Sequence, residues 1–170
     1  MMYYCYLDTP IGDLLLAGDG DALCMVGFPK GSMRREPEPE WIYSEKPFGE
    51  AKRQLSAYFD GTLREFDLPL RPTGTEFQLA VLAELEKIPY GTTVSYGDVA
   101  RRIGRPKAVR AVGAANGRNP IPVIIPCHRV IGSSGDLTGF GGGLDTKEAL
   151  LRLEMEHSRF PNVLEAGNGG

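Results

Sequence analysis

The sequence predicts a mixed α/β chain of the α+β kind, with strands and helices segregated, and three observations predict it. Strand-like runs alternate with turns as far as residue 28. A helical stripe closes that unit at Gly61, and beyond residue 75 the apolar period becomes that of short helices. The 170 residues, 42% of them hydrophobic, suffice for one compact domain or two small ones sharing an interface.

Taken in order, YYCYL and LLLAG are separated by the turn DTPIGD, and ALCMVGF follows a DGD turn, which reads as an antiparallel meander. Residues 29–46 are polar and proline-bearing and read as a loop. FGEAKRQLSAYFDG then places Phe48, Ala51, Leu55, Tyr58 and Phe59 at helical spacing. TLREFDLPLRPTGT mixes proline and glycine with extended-type residues, so a boundary is expected between Arg71 and Thr75. This divides the chain into domains 1–72 and 73–157, with 158–170, ending AGNGG, as a frayed tail.

In the second unit FQLAVLAELEKI sets Phe77, Val81, Leu82, Leu85 and Ile88 on one stripe closed by Pro89-Tyr90-Gly91. Ser95-Tyr-Gly-Asp98 is a capping arrangement in which the serine hydroxyl accepts an orphan helix amide. The helix VARRIG breaks at Gly104-Arg105-Pro106, and a second helix is expected from Pro106 through KAVRAVGAAN. Two short helices around a glycine turn form a helix-turn-helix pattern, with Val99, Ile103, Val109 and Val112 as the inner seam and Ala100 permitting a close crossing. Two core helices without nucleic acid share that spacing.

Charge adds information. Residues 95–135 hold seven basic residues, Arg101, Arg102, Arg105, Lys107, Arg110, Arg118 and Arg129, against the single acid Asp98, a net +6 that leaves −9 for the rest of a chain totalling −3. A major-groove reader carries long polar side chains at successive positions, whereas AVRAVGAANGR is mostly alanine and glycine around Arg110. Such a slim helix suits the minor groove and backbone contacts.

The cysteines Cys5, Cys24 and Cys127 are odd in number and form no C-x-x-C pair, so free thiols in a reducing compartment are expected. The opening MMYYCYLDTP has neither the basic nor the apolar region of a leader. No apolar run approaches the roughly 18 residues of a membrane span. A cytoplasmic protein without membrane attachment is expected, with Cys5 and Cys24 as core filler.

Chemistry concentrates in IPVIIPCHRV, read as a rigid, proline-flanked strand that opens onto Cys127 and His128. Arg110, Arg118 and Arg129 are expected to favour the thiolate. Zinc wants four ligands, and three scattered cysteines with His128 and His157 offer no such set. A nucleophile needs a base and a group orienting that base, and DTKEALLRLEMEH supplies Glu148, Glu154 and Glu156 as candidates for the third role.

PCHRVIGSSG, LTGFGGG, KEALLRLE and the runs FQLAVLAELEKIPYGTTVSYGDVA and RAVGAANGRNPIPVIIPCHRV closely resemble the O6-alkylguanine-DNA alkyltransferases, also called methylated-DNA-protein-cysteine methyltransferases. Weaker similarity in DTPIGDLLLAG and the helix before Gly61 extends the resemblance over most of the chain. It implies an N-terminal ribonuclease-H-like domain and a C-terminal winged helix-turn-helix domain that binds the minor groove of double-stranded DNA as a monomer. The implied activity is transfer of an alkyl group from O6-alkylguanine, with O4-alkylthymine as a second candidate substrate, to Cys127.

The resemblance also assigns roles. His128 is the base acting through water, Glu154 its orienting partner, and Asn119 braces the turn around the cysteine. Arg110 fills the gap left by the extruded nucleotide, while Tyr96 assists extrusion and reaches the base edge. Ser95, Ala111, Gly113, Ala114, Arg118 and Ser133 would meet DNA. Val130, Asn116, Leu137, Phe140, Gly141 and Gly142 would wall the pocket, with the amide of Gly141 toward the substrate oxygen and the carbonyls of Cys127 and Val130 toward its amino group. Phe140 stands where many relatives have tyrosine. The N-terminal zinc-binding histidines of some relatives are absent here, so neither metal nor cofactor is expected.

Chemistry agrees with that implication. A base inside a duplex must leave the stack to meet a buried thiol, at a cost of about a few kcal/mol. The resulting thioether lacks the electrophilic carbonyl of an acyl-cysteine, so the protein should act once per molecule. Two other readings compete: a lesion sensor of the alkyltransferase-like type, in which the acceptor cysteine is replaced, and a cysteine hydrolase, which leaves Arg110 unexplained.

Overall fold

The computed structural model describes residues 1–137 and 140–159. A four-stranded sheet, in which the third, second, first and fourth strands of the chain lie side by side in that order, makes the first half. Strands β1 (Tyr3–Thr9) and β2 (Gly12–Gly18) pair antiparallel, and β3 (Leu23–Gly27) adds antiparallel to β2. Thr9 fixes the first turn: its Oγ1 donates to the Gly12 carbonyl at 2.6 Å and accepts from the Ile11 N–H at 3.2 Å. Asp19 fixes the second by accepting from the N–H groups of Asp21 and Ala22.

Strand β4 (Ile42–Tyr43) runs parallel to β1 within the stretch read as a loop. Two residues are too few to show alternation; the strand exists because the N–H groups of Ile42 and Ser44 donate to the carbonyls of Met2 and Tyr4. Helix α1 (Gly49–Phe59) packs on β1 and buries Ala51, Gln54, Leu55 and Tyr58. Gln54 then ties down the connection that follows, donating to the Asp67 carbonyl at 3.0 Å and accepting from the Asp67 N–H at 2.9 Å.

A capping box between Thr75 and Gln78 starts α2 (Glu76–Leu85), whose Val81, Leu82 and Leu85 are buried together with Ile88. Strand β5 (Val94–Ser95) precedes α3 (Tyr96–Arg102), and Ser95 and Asp98 form the expected capping box. Gly104, at φ 77°, ends that helix in the left-handed conformation glycine favours. Helix α4 (Val109–Gly117) begins later than the sequence suggested. The Ala108 N–H closes a turn on the Arg105 carbonyl, and no side chain caps the helix, so residues 106–108 stay outside it. Val109 consequently lies 41% exposed, outside the seam, which Val99, Ala100 and Val112 form with half-buried Ile103.

The run IPVIIP is a chain of bends and turns, not a strand. Its prolines cannot donate to a ladder. The Ile125 N–H turns back onto the Ile121 carbonyl at 2.9 Å, and buried Val123 sits at φ 73°, a strained conformation for a β-branched residue. Beyond it, β6 (Val130–Ile131) pairs parallel with β5, and α5 (Leu144–Arg159) completes the described chain. Ser158 and Arg159 thus belong to a helix, and the remainder of the expected tail lies outside the described residues. One apolar core runs from the sheet through α1 to the helices of the second half. Among the described residues no helix is long and apolar enough to cross a membrane.

Candidate active site

Cys127 opens a 3-10 turn, Cys127–Arg129, and is fully buried. Asn119 holds the approach to it: Nδ2 donates to the Ile125 carbonyl at 2.8 Å and Oδ1 accepts from the Ile121 N–H at 3.0 Å. The Cys127 N–H donates to that same Ile125 carbonyl at 2.8 Å. Its own carbonyl accepts from Asn116 Nδ2 at 3.3 Å and from the Val130 N–H. Burial pushes the thiol up to about 11, offset in part by Asn119 and the charge of Lys147.

The resting group is therefore a thiol, contrary to the expectation of an arginine-stabilised thiolate. Arg110 on α4 and Arg118 just beyond its end are exposed, and Arg129 is turned onto Glu154 and the Ile88 carbonyl.

His128, also fully buried, places Nε2 2.6 Å from Glu154 Oε2. Glu154 is 1% exposed and is gripped on both oxygens. Oε1 accepts from Arg129 Nε at 2.8 Å and the Gly91 N–H at 3.1 Å; Oε2 accepts from Tyr58 Oη at 2.6 Å and Arg129 Nη2 at 3.0 Å besides His128. Burial alone would raise this carboxyl, but His128 and Arg129 together hold it well below the usual carboxylate range. A carboxylate oxygen only accepts, so the shared proton sits on His128 Nε2 and the lone pair on Nδ1. That Nδ1 is buried with no partner among the described residues. Burial lowers the pKa of His128 against the pull of Glu154, keeping the ring neutral.

Lys147, Leu150 and Glu154 form the buried stripe of α5, whereas Glu148 and Glu156 face outward, Glu148 toward Arg152. Of the three glutamates offered by the sequence, Glu154 alone meets the histidine. Lys147 was missed there, because a lysine on an amphipathic helix reads as solvated. Its Nζ donates to the Val130 carbonyl at 2.7 Å and lies 6.0 Å from the Tyr96 ring centre and 5.9 Å from that of Phe140.

Burial separates the remaining expected wall residues. Val130, Phe140, Gly141 and Gly142 are buried and Leu137 is half-buried, while Thr138 and Gly139 lie outside the described residues. The sheet half supplies the backing. The Met33 N–H donates to the Gly141 carbonyl at 2.7 Å, the Phe28 ring lies 5.6 Å from that of Phe140, and Lys30 pairs with Asp145. A Cβ at Gly141 would collide with the Met33 side chain, and one at Gly142 would come 2.7 Å from the Phe28 ring. Glycine is what lets the two halves approach so closely.

Helix α4 shows Arg110, Ala111 and Ala114 to solvent, with exposed Arg118 just past its end and half-buried Gly113 beside Tyr96. The Ser95 hydroxyl is committed to the Asp98 N–H at 3.0 Å, and Ser133 is exposed in the loop after β6. Among the described residues no three His, Cys, Asp or Glu side chains gather to hold a metal ion.

Two family models match the chain. One, described as 6-O-methylguanine DNA methyltransferase, ribonuclease-like domain, covers residues 2–72, and the other, 6-O-methylguanine DNA methyltransferase, DNA binding domain, covers residues 76–156. The methylated-DNA–protein-cysteine methyltransferase of Methanosarcina acetivorans is 56% identical over 153 residues, 90% of this chain and 98% of its own. That of Mycobacterium bovis is 50% identical over 164 residues, 95% of this chain and 96% of its own. Among solved structures, Mycobacterium tuberculosis O6-methylguanine methyltransferase superposes with a TM-score of 0.87 at 49% identity, covering 98% of this chain and 99% of that one. Mycobacterium tuberculosis OGT in complex with DNA gives 0.86 at 49% identity over 91% and 94%.

Proposed function

The chain belongs to the 6-O-methylguanine DNA methyltransferase family, and on that premise we propose that it repairs DNA by moving the alkyl group of O6-alkylguanine irreversibly onto Cys127. One observation carries the assignment: a fully buried thiol stands next in the chain to a histidine whose Nε2 is fixed by Glu154 and whose Nδ1 is an acceptor with no partner among the described residues.

The Cys127 proton passes to His128 Nδ1 through a water molecule, and the thiolate attacks the alkyl carbon. A carbon–sulfur bond forms as the carbon–O6 bond breaks, and its electron pair stays on guanine, neutralised by a proton from the Tyr96 hydroxyl. Lys147, whose charge acts on Cys127, stabilises the thiolate while it exists. The S-alkylcysteine cannot be hydrolysed, so each molecule acts once.

Residues 1–72 and 73–157 act as a bracing domain and a DNA-binding domain. The exposed small-residue face of α4, with Ala111, Gly113 and Ala114, suits the minor groove of duplex DNA, and Arg110 at its start is placed to fill the stack after the base leaves. Arg118, Ser95 and Ser133 flank that face toward the phosphates, and a single copy of the chain holds every group the reaction needs.

Duplex DNA carrying a labelled methyl on guanine O6 tests the proposal, with peptide mass spectrometry to locate the label and Cys127→Ala as control. Label on Cys127 at no more than one per protein is the expected result. Tight lesion binding without transfer would instead make the protein a sensor.

A further inference from the structure

Tyr58 belongs to the other half of the molecule from Cys127. It sits in the last turn of α1, fully buried, its ring against Phe59, Phe66 and Tyr90. Such a tyrosine is ordinary core, and filling space would explain the ring. It does not explain the hydroxyl, which donates to Glu154 Oε2 at 2.6 Å, the oxygen that holds His128 Nε2 at the same distance. Burial, with the charge of Glu154, keeps this phenol protonated far above its ordinary range, so it remains a donor throughout.

An oxygen shared between two short donors is less basic than one serving a single donor. We propose that Tyr58 is a positioning residue for the alkyl transfer: by occupying Glu154 Oε2 it holds the relay proton on His128 Nε2 and moderates how strongly Glu154 stabilises the imidazolium. The strength of the base at Nδ1 is thereby set from the sheet half, so docking of the two halves tunes the nucleophile. The inference rests on the transfer reading above.

Other charged or titratable groups face this relay: Arg129 and Cys127 from the 3-10 turn, Lys147 from α5, and Tyr90 with Arg64 over its ring from the segments flanking α2. All persist in Tyr58→Phe, which keeps the ring and removes one hydrogen bond.

The experiment measures Cys127 alkylation by free O6-methylguanine base against pH in the full-length wild type and Tyr58→Phe, with thermal unfolding alongside. Without the hydroxyl, Oε2 becomes more basic and the imidazolium easier to form. The acid-side midpoint of the profile, set by protonation of His128, should therefore move toward alkaline pH by roughly half to one pH unit, and the rate above it should rise. In parallel the His128 Nε2 proton resonance should move downfield as its bond to Oε2 strengthens. A midpoint that stays in place or moves toward acid, with only thermal stability lost, overturns the proposal. Absence of any alkylation in the wild type would sink the transfer reading instead, and the histidine resonance would still decide the role of Tyr58: an unmoved resonance rejects it.

Discussion

Arg129 reaches both oxygens of Glu154, with Nε 2.8 Å from Oε1 and Nη2 3.0 Å from Oε2, while its Nη1 donates to the Ile88 carbonyl at 2.7 Å. His128 and Arg129 are successive residues of one tight turn aimed at one carboxylate, so the turn that starts at Cys127 is anchored from behind by a buried ion pair. Breaking such a pair from one side leaves the other charge uncompensated. Glu154→Gln should accordingly cost about 3–5 kcal/mol in urea unfolding. It should also slow Cys127 alkylation by weakening the hold on His128. A loss below about 1 kcal/mol would mean that water reaches Arg129 in solution.

Acid should attack the same assembly first. Both pKa values are depressed in the fold: His128 by burial, and Glu154, despite burial, by His128 and Arg129. Below the ordinary histidine value of roughly 6.5 the unfolded chain binds a proton that the folded chain resists, so stability falls as pH drops. Glu154 adds a second loss below the ordinary carboxylate value of roughly 4.3. Thermal midpoints should be level from about pH 6.5 to 8 and decline below, and transfer should lose rate on the same acid side. Stability rising between pH 7 and 6 would contradict both assignments.

Arg110 makes the nucleic-acid prediction. It is exposed on α4 while the thiol is fully buried, so its truncation should leave the reaction with a free base intact. Arg110→Ala should slow repair of duplex DNA by roughly tenfold or more, the scale of one lost charged contact. Reaction with free O6-methylguanine should change little. Equal effects on the two substrates would remove Arg110 from base extrusion.

What the sequence could show depended on whether a contact was local. The capping box at Ser95 and Asp98 spans three residues, and Val81, Leu82 and Leu85 share one face of α2; both were legible as pattern. Cys127 and His128 stood out as neighbours, and the family resemblance selected Glu154. Tyr58, Met33 and Lys147 stayed invisible. Their partners lie 96, 108 and 17 residues away, and a buried tyrosine, methionine or helix lysine has no signature that separates it from core or surface. Residues 106–108 and Val109 misled because Pro106 favours a helix start, while the turn closed by Ala108 satisfied the backbone first.

Lys147 tests the charge beside the thiol. Its ammonium lies within electrostatic reach of Cys127 and lowers the thiol that burial has raised to about 11. Lys147→Met keeps the length and removes the charge, so the alkylation profile should move toward alkaline pH. The rate at pH 7 should fall about tenfold for every pH unit by which the midpoint moves. An unmoved profile with a lower plateau would confine Lys147 to holding the Val130 carbonyl.

Met33 tests whether the sheet half shapes the pocket as well as the relay. Its backbone bond to Gly141 survives truncation, but its side chain occupies the space that a Cβ on Gly141 would need and is 2% exposed. Met33→Ala should therefore open a void behind the wall at roughly 2–5 kcal/mol of stability. The segment 141–143 can then retreat toward the sheet and leave more room for an alkyl group delivered to Cys127. The rate with O6-benzylguanine relative to O6-methylguanine should rise, since a larger adduct gains more from that retreat. If stability falls and the ratio holds, the wall is fixed by the Phe28–Phe140 ring contact and the Lys30–Asp145 pair, and adduct size is set on the opposite side, at Tyr96.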